Sequence, residues 1–154
     1  MVKYTEMRKK KGQKFIKMKK IQIVLGLLCC SVVVVAQRAD YKVVFDLTSR
    51  DTVDQKNMIR WLNEITESNP DAKMEVVMYS KGLELALKDR SCVAEDVTRL
   101  AANKNITFSV CAVSMKNNHV TADQLLPGIH VVPDGIYEII TKQREGWGYI
   151  KAAR

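Results

Sequence analysis

The sequence is poor in the residues that most often hold transition metals. It contains only 2 histidines and 4 cysteines, and their spacings fit no compact zinc module. No G-x-G-x-x-G and no phosphate-loop lysine motif occurs, so nucleotide binding has no support in the sequence. The nucleophile elbow G-x-S-x-G is missing too, and Ser80-Lys81-Gly82 reads by default as a turn. There is no internal repeat and no linker. Low complexity is confined to the valine run at residues 32–35.

What is present in excess is positive charge, a formal +8 over 154 residues. Such a sign suggests nucleic acid, but its placement removes that reading. Residues 1–36 carry nine Lys or Arg against Glu6 alone, a net of +8. The remaining sixteen basic and sixteen acidic residues cancel over 37–154. A neutral domain offers no electrostatic footprint for phosphates. No nucleic-acid partner is therefore expected.

The basic segment has its own explanation. Met18-Lys19-Lys20 is a short basic head, followed by the apolar stretch "IQIVLGLLCCSVVVVA" at 21–36. Val34 and Ala36 stand three and one residues before a cut at Gln37. Basic, apolar and small-residue parts in that order read as a secretory signal peptide over 18–36. The competing reading is a membrane anchor, which wants roughly 20 apolar residues, and this run is shorter. Residues 1–17 form a long basic extension, with Met18 as the expected natural start; a solvated basic arm is the alternative. The expected location is periplasmic or secreted, with membrane contact only through the uncut signal. Cleavage removes Cys29 and Cys30 and leaves Cys92 and Cys111 in a compartment that permits disulfides.

In the domain at 37–154, strands alternate with helices. "YKVVFDL" (41–47), "KMEVVMYS" (73–80), "ITFSVC" (106–111) and "IHVV" (129–132) read as strands. Thr52 with Gln55 and Thr121 with Gln124 have capping-box spacing. Met58, Trp61, Leu62 and Ile65 share one helix face, which Asn69-Pro70 ends. A helix opening at Ser91 buries Val93, Val97, Leu100 and Ala101. Pro133-Asp134-Gly135 opens a last helix, with Ile136, Ile139 and Ile140 expected to face inward. The fold class is α/β, a single-domain open parallel sheet of about four to five strands with helices on both faces.

Ligands of such sheets bind beyond the carboxyl ends of the strands. Cys111 ends a buried strand on that edge and is followed by Lys116 and His119. It is either a nucleophile presented to a crevice or a small inert hydrophobe. Cys92 opens its helix near the same edge. The helix of about 18 Å and the returning strand of similar length put both sulfurs near one level, and whether they can bond stays open. Trp147 and Tyr149 could stack on a ligand, or pin the last helix. No metal or organic cofactor is implied.

The segments "YKVVFDLTS", "VVMYSKGLELALKD", "ITFSVCAVSMK" and "LLPGIHVVPDGIYEIITKQREGWGYI" resemble the DsrE/DsrF-like family, in its small secreted or periplasmic branch. The resemblance spans nearly all of 41–150, in order. It implies an open α/β sandwich that forms homo-oligomers, trimers or hexamers. In the sulfur-oxidation members it implies a cysteine after the third strand that accepts sulfur as a persulfide, and Cys111 matches that position. Those members are cytoplasmic and work with partner subunits, whereas this chain reads as exported, and Cys92 is not part of their pattern. The leading expectation is a sulfur-handling protein with Cys111 as carrier, Ser80, Lys81 and Gly82 as pocket wall, and Cys92 as a redox partner if the two thiols meet. Its sulfur donor and acceptor are not named by the sequence. The alternative is a non-catalytic oligomeric binding or assembly module of the cell envelope, with Cys111 an inert core residue.

Overall fold

Among the described residues five strands pair in the order β4-β3-β2-β1-β5, every pair parallel. The computed structural model describes residues 41–152; the expected basic extension at 1–17 and the expected signal peptide at 18–36 lie outside the described residues. The elements run β1 (Lys42–Leu47), α1 (Thr52–Ser68), β2 (Lys73–Met78), a 3-10 helix (Ser80–Ala86), α2 (Ala94–Ala101), β3 (Ile106–Cys111), α3 (Ala112–Asn117), a 3-10 turn (Ala122–Gln124), β4 (Ile129–Val132), α4 (Gly135–Arg144) and β5 (Gly148–Lys151). No helix among the described residues is long and apolar enough to cross a membrane.

The chain steps outward from β1 to β4, and α4 then carries it back across β3, β2 and β1 to place β5 on the far side of β1. A reversal of direction moves a right-handed crossover to the opposite face. The three earlier connections therefore cover one face and α4 covers the other. Side chains alternate along each strand, and the registers Val43↔Met74↔Ile106 and Phe45↔Val76↔Phe108 align one set. That set, with Leu47, Met78 and Val110, packs against Met58, Leu62, Leu83, Val97, Leu100 and Met115 in the main core. The other set packs under α4 in a much smaller cluster of Val44, Val77 and Ile139, with Tyr79 and Trp147 at its margin.

Two local expectations change. Asp51, not Thr52, caps α1: its carboxylate accepts from the Val53 N–H at 2.7 Å. Gln55 is then free to turn inward, where it is buried. On α4 only Gly135 and Ile139 are buried, while Ile136 and Ile140 are 56% and 40% exposed. One helix lying alone on a sheet needs a single narrow stripe, and positions 135, 139 and 142 supply it.

Candidate functional site

Cys111 is the last residue of β3 and the N-cap of α3. It alternates with Val110 of the main core and so shares the α4 face with Ser109. There it is 4% exposed, because the first residue of α4 lies directly on it. A side-chain carbon built at Gly135 would stand 3.2 Å from Cys111 Cβ and from Val77 Cγ1, and 3.4 Å from Tyr79 Cβ. A glycine is what allows so close an approach. Cys111, Tyr79 and the start of α4 thus form one contiguous group at the carboxyl edge.

The loop after β2 braces that edge. Ser80 adopts a positive φ of 53°, a conformation costly for a residue with a side chain, and its N–H donates to Ser114 Oγ at 2.8 Å. Lys81 is exposed, and its ammonium donates to Asn118 Oδ1 at 2.8 Å. Both residues therefore tie β2 to the helix that Cys111 opens. Gly82 is buried for a different reason: a Cβ there would stand 2.0 Å from the Leu47 carbonyl oxygen. It lets the loop cross the end of β1.

Cys92 is exposed and free, and Cys111 is buried and free. The Cys92 N–H and its thiol both donate to Gln55 Oε1, each at 3.2 Å. This places Cys92 at the first turn of α1. Both cysteines are near the carboxyl edge, as expected, but on opposite faces of the sheet, so the structure does not bring them together. The helix expected to open at Ser91 begins at Ala94; Ser91 Oγ instead accepts from the Val93 N–H at 3.3 Å. Cys92 sits in that turn rather than in a helix.

Beneath α4 lies a polar network that was not anticipated. Glu75, on β2, accepts from Ser109 Oγ at 2.6 Å and pairs with Lys142 Nζ of α4 at 2.9 Å. Burial alone would lower the Lys142 ammonium, but its hydrogen bond and attraction to Glu75, aided by Glu138, outweigh this and raise it above its ordinary 10.5. The same ammonium lies 5.0 Å over the Trp147 ring, so Trp147 helps anchor the helix. On β1, Asp46 is 3% exposed. Its Oδ2 accepts from Tyr149 Oη at 2.7 Å and Tyr79 Oη at 3.2 Å, with Lys151 Nζ at 3.6 Å. Its Oδ1 is buried without a hydrogen-bond partner.

Both phenols are pushed up to about 12. For Tyr79 the first cause is burial, then the Asp46 charge; for Tyr149 it is the hydrogen bond to Asp46, then burial. The sequence did carry a signal. Asp46 in "VVFDL" and Glu75 in "KMEVV" are acids inside apolar strands of a covered sheet, and such acids have to find partners.

Three surface hollows lie elsewhere, against α1, α2 or β5, and none of the three is lined by Cys111. One of them is bounded by Phe45, Trp61, Ile65 and Ile150.

The chain belongs to the DsrE/DsrF-like family, whose family model matches residues 42–152. A solved structure of a protein of unknown function from Methanobacterium thermoautotrophicum is 30% identical, with a TM-score of 0.68, and the match covers 73% of this chain and 99% of that one. The ychN protein from E. coli is similar at 11% identity and a TM-score of 0.62, covering 73% and 98%. A conserved protein of unknown function from Bacteroides thetaiotaomicron matches at 16% identity and 0.61, covering 72% and 94%. These last two show the shared fold alone. No curated protein matches the chain.

Proposed function

We propose that this DsrE/DsrF-like protein handles sulfane sulfur, with Cys111 as the carrier. The single observation that supports this most is the place of the thiol. It ends a central strand of an open parallel sheet, on the edge where such folds keep their ligands, beside the left-handed Ser80 and under the start of α4. Membership of the family is consistent with a sulfur-relay role.

The step is a thiol–persulfide exchange. The Cys111 thiolate attacks the terminal sulfur of a donor persulfide R–S–SH. One S–S bond forms and one breaks, the donor leaves as R–S⁻, and the proton stays on the transferred sulfur. An acceptor thiolate then attacks that sulfur, takes it as a persulfide, and regenerates the Cys111 thiolate. No external oxidant or reductant is consumed. In this reading Ser80, Lys81 and Gly82 shape the wall by holding the β2 loop against β1 and α3. The protein acts outside the cytoplasm once its signal is removed, and as a homo-oligomer.

A second reading is favoured by the burial of Cys111. If that thiol is inert, the exposed side of α4, with Ile136, Tyr137 and Ile140, fits a binding or assembly module better than a carrier. Incubation with a low-molecular-weight persulfide separates the two. The carrier reading expects sulfur uptake by the wild type and by Cys92→Ser, and none by Cys111→Ser. No uptake by the wild type supports the assembly module. Uptake that Cys92→Ser abolishes and Cys111→Ser spares overturns the assignment to Cys111.

A further inference from the structure

We propose that α4 is a lid over Cys111, and that its release, rather than unfolding of the domain, gives reagents access to the thiol. The helix is the only element packed on that face over β1, β2 and β3 among the described residues. It buries only Gly135 and Ile139 of its own residues. Its hold on the sheet is a small apolar cluster and the Lys142–Glu75 pair, and its first turn is fixed by a single end cap of its own. Elements with few buried apolar contacts open at lower free energy than the global core.

The geometry joins that weak hold to the thiol. Gly135 is both the first residue of the lid and the residue that covers Cys111. The turn before it is exposed at Pro133 and Asp134, and it follows a four-residue edge strand. At the other end, Gly146 with φ 83° links the helix to β5, a place where the backbone can turn freely. The near end is held by the Asp134 carboxylate, which accepts from the Ile136 and Tyr137 N–H groups at 2.8 and 3.1 Å. The molecule contains its own control. Asp51 caps α1 by the same chemistry, but α1 lies on the main core and away from Cys111.

The inference rests on the carrier reading for its purpose only, since alkylation measures access and not sulfur transfer. The test is the rate of iodoacetamide labelling in the folded full chain, resolved by peptide mass for each cysteine. Cys92 should label fast and Cys111 slowly. Asp134→Ala should speed Cys111 about fivefold, the consequence of losing one cap, while Asp51→Ala leaves the Cys111 rate within about twofold. If Asp134→Ala does not fold, Ile139→Val, which loosens the same helix, carries the same expectation. The proposal is overturned by wild-type Cys111 reacting as fast as Cys92. It is equally overturned by no acceleration in the α4 variant, or by Asp51→Ala accelerating Cys111 as much. Sulfur uptake can fail while the lid behaves as described, and the lid can fail while sulfur is still taken up.

Discussion

The two faces of the sheet are built from the same five strands and serve different ends. On one, Phe45, Met74, Val76, Phe108 and Val110 interlock with three successive connections into a continuous apolar core. On the other, the alternate positions of the same strands carry Asp46, Glu75, Ser109 and Cys111 under a single helix. The first face supplies most of the burial that holds the domain together. The second gives up apolar area to place carboxylates and a thiol where water is scarce. In an alternating strand the two requirements do not compete, because each residue commits to one side only.

The contrast should appear first as a difference in cost. Phe108→Ala, on the main-core face, should lose about 3–5 kcal/mol of stability, read as a drop in the denaturant midpoint at constant slope. Lys142→Met leaves Glu75 buried without its cation, and about 2–3 kcal/mol is expected, because the lysine is partly exposed. Ile139→Ala should cost about 2 kcal/mol, the low end for such truncations. If Ile139→Ala proved as damaging as Phe108→Ala, the two faces would not differ in the way described.

The smallest effect lies at high pH. The folded protein keeps Tyr79 and Tyr149 protonated to about pH 12, against 10.0 for an unperturbed phenol. Their folded values are raised, so the stability they contribute is complete below pH 10 and is lost as the pH rises through 12. Titration by phenolate absorbance should show these two ionising late. Asp46→Asn should bring Tyr149 down further than Tyr79, since the bond to Asp46 dominates the first and burial the second. Equal downward shifts would mean that burial does not set Tyr79 apart.

Much of the fold was legible because its signals are local. "ITFSVC" and "IHVV" are strands with the bounds read from the sequence, and Asp134-Gly135 opens α4 as the turn chemistry implies. Asn69 follows the last residue of α1. The position of β5 was not legible. "GYIK" is four residues long, and only the return of α4 across the sheet decides that it pairs with β1. Spacing also put Ile136 and Ile140 inward, and both are exposed, since a helix packed on one side alone needs a narrower stripe than its sequence offers.

At the site, the edge position of Cys111 followed from strand order. Its cover by Gly135 did not, because that contact joins residues brought together by a crossover. The capping-box spacing of Thr52 and Gln55 pointed to the right helix and the wrong bond. Asp51 supplies the cap, and Gln55 accepts from Cys92 across 37 positions of sequence.

The central claim is that the buried thiol on the sparsely covered face, and not the exposed thiol on the other, carries the chemistry. It is tested most directly by treating the folded wild type with less persulfide donor than protein and mapping the modified peptide by mass. The account predicts that the added sulfur resides on the peptide bearing Cys111 while Cys92 stays unmodified. Sulfur found on Cys92 with Cys111 untouched would contradict it.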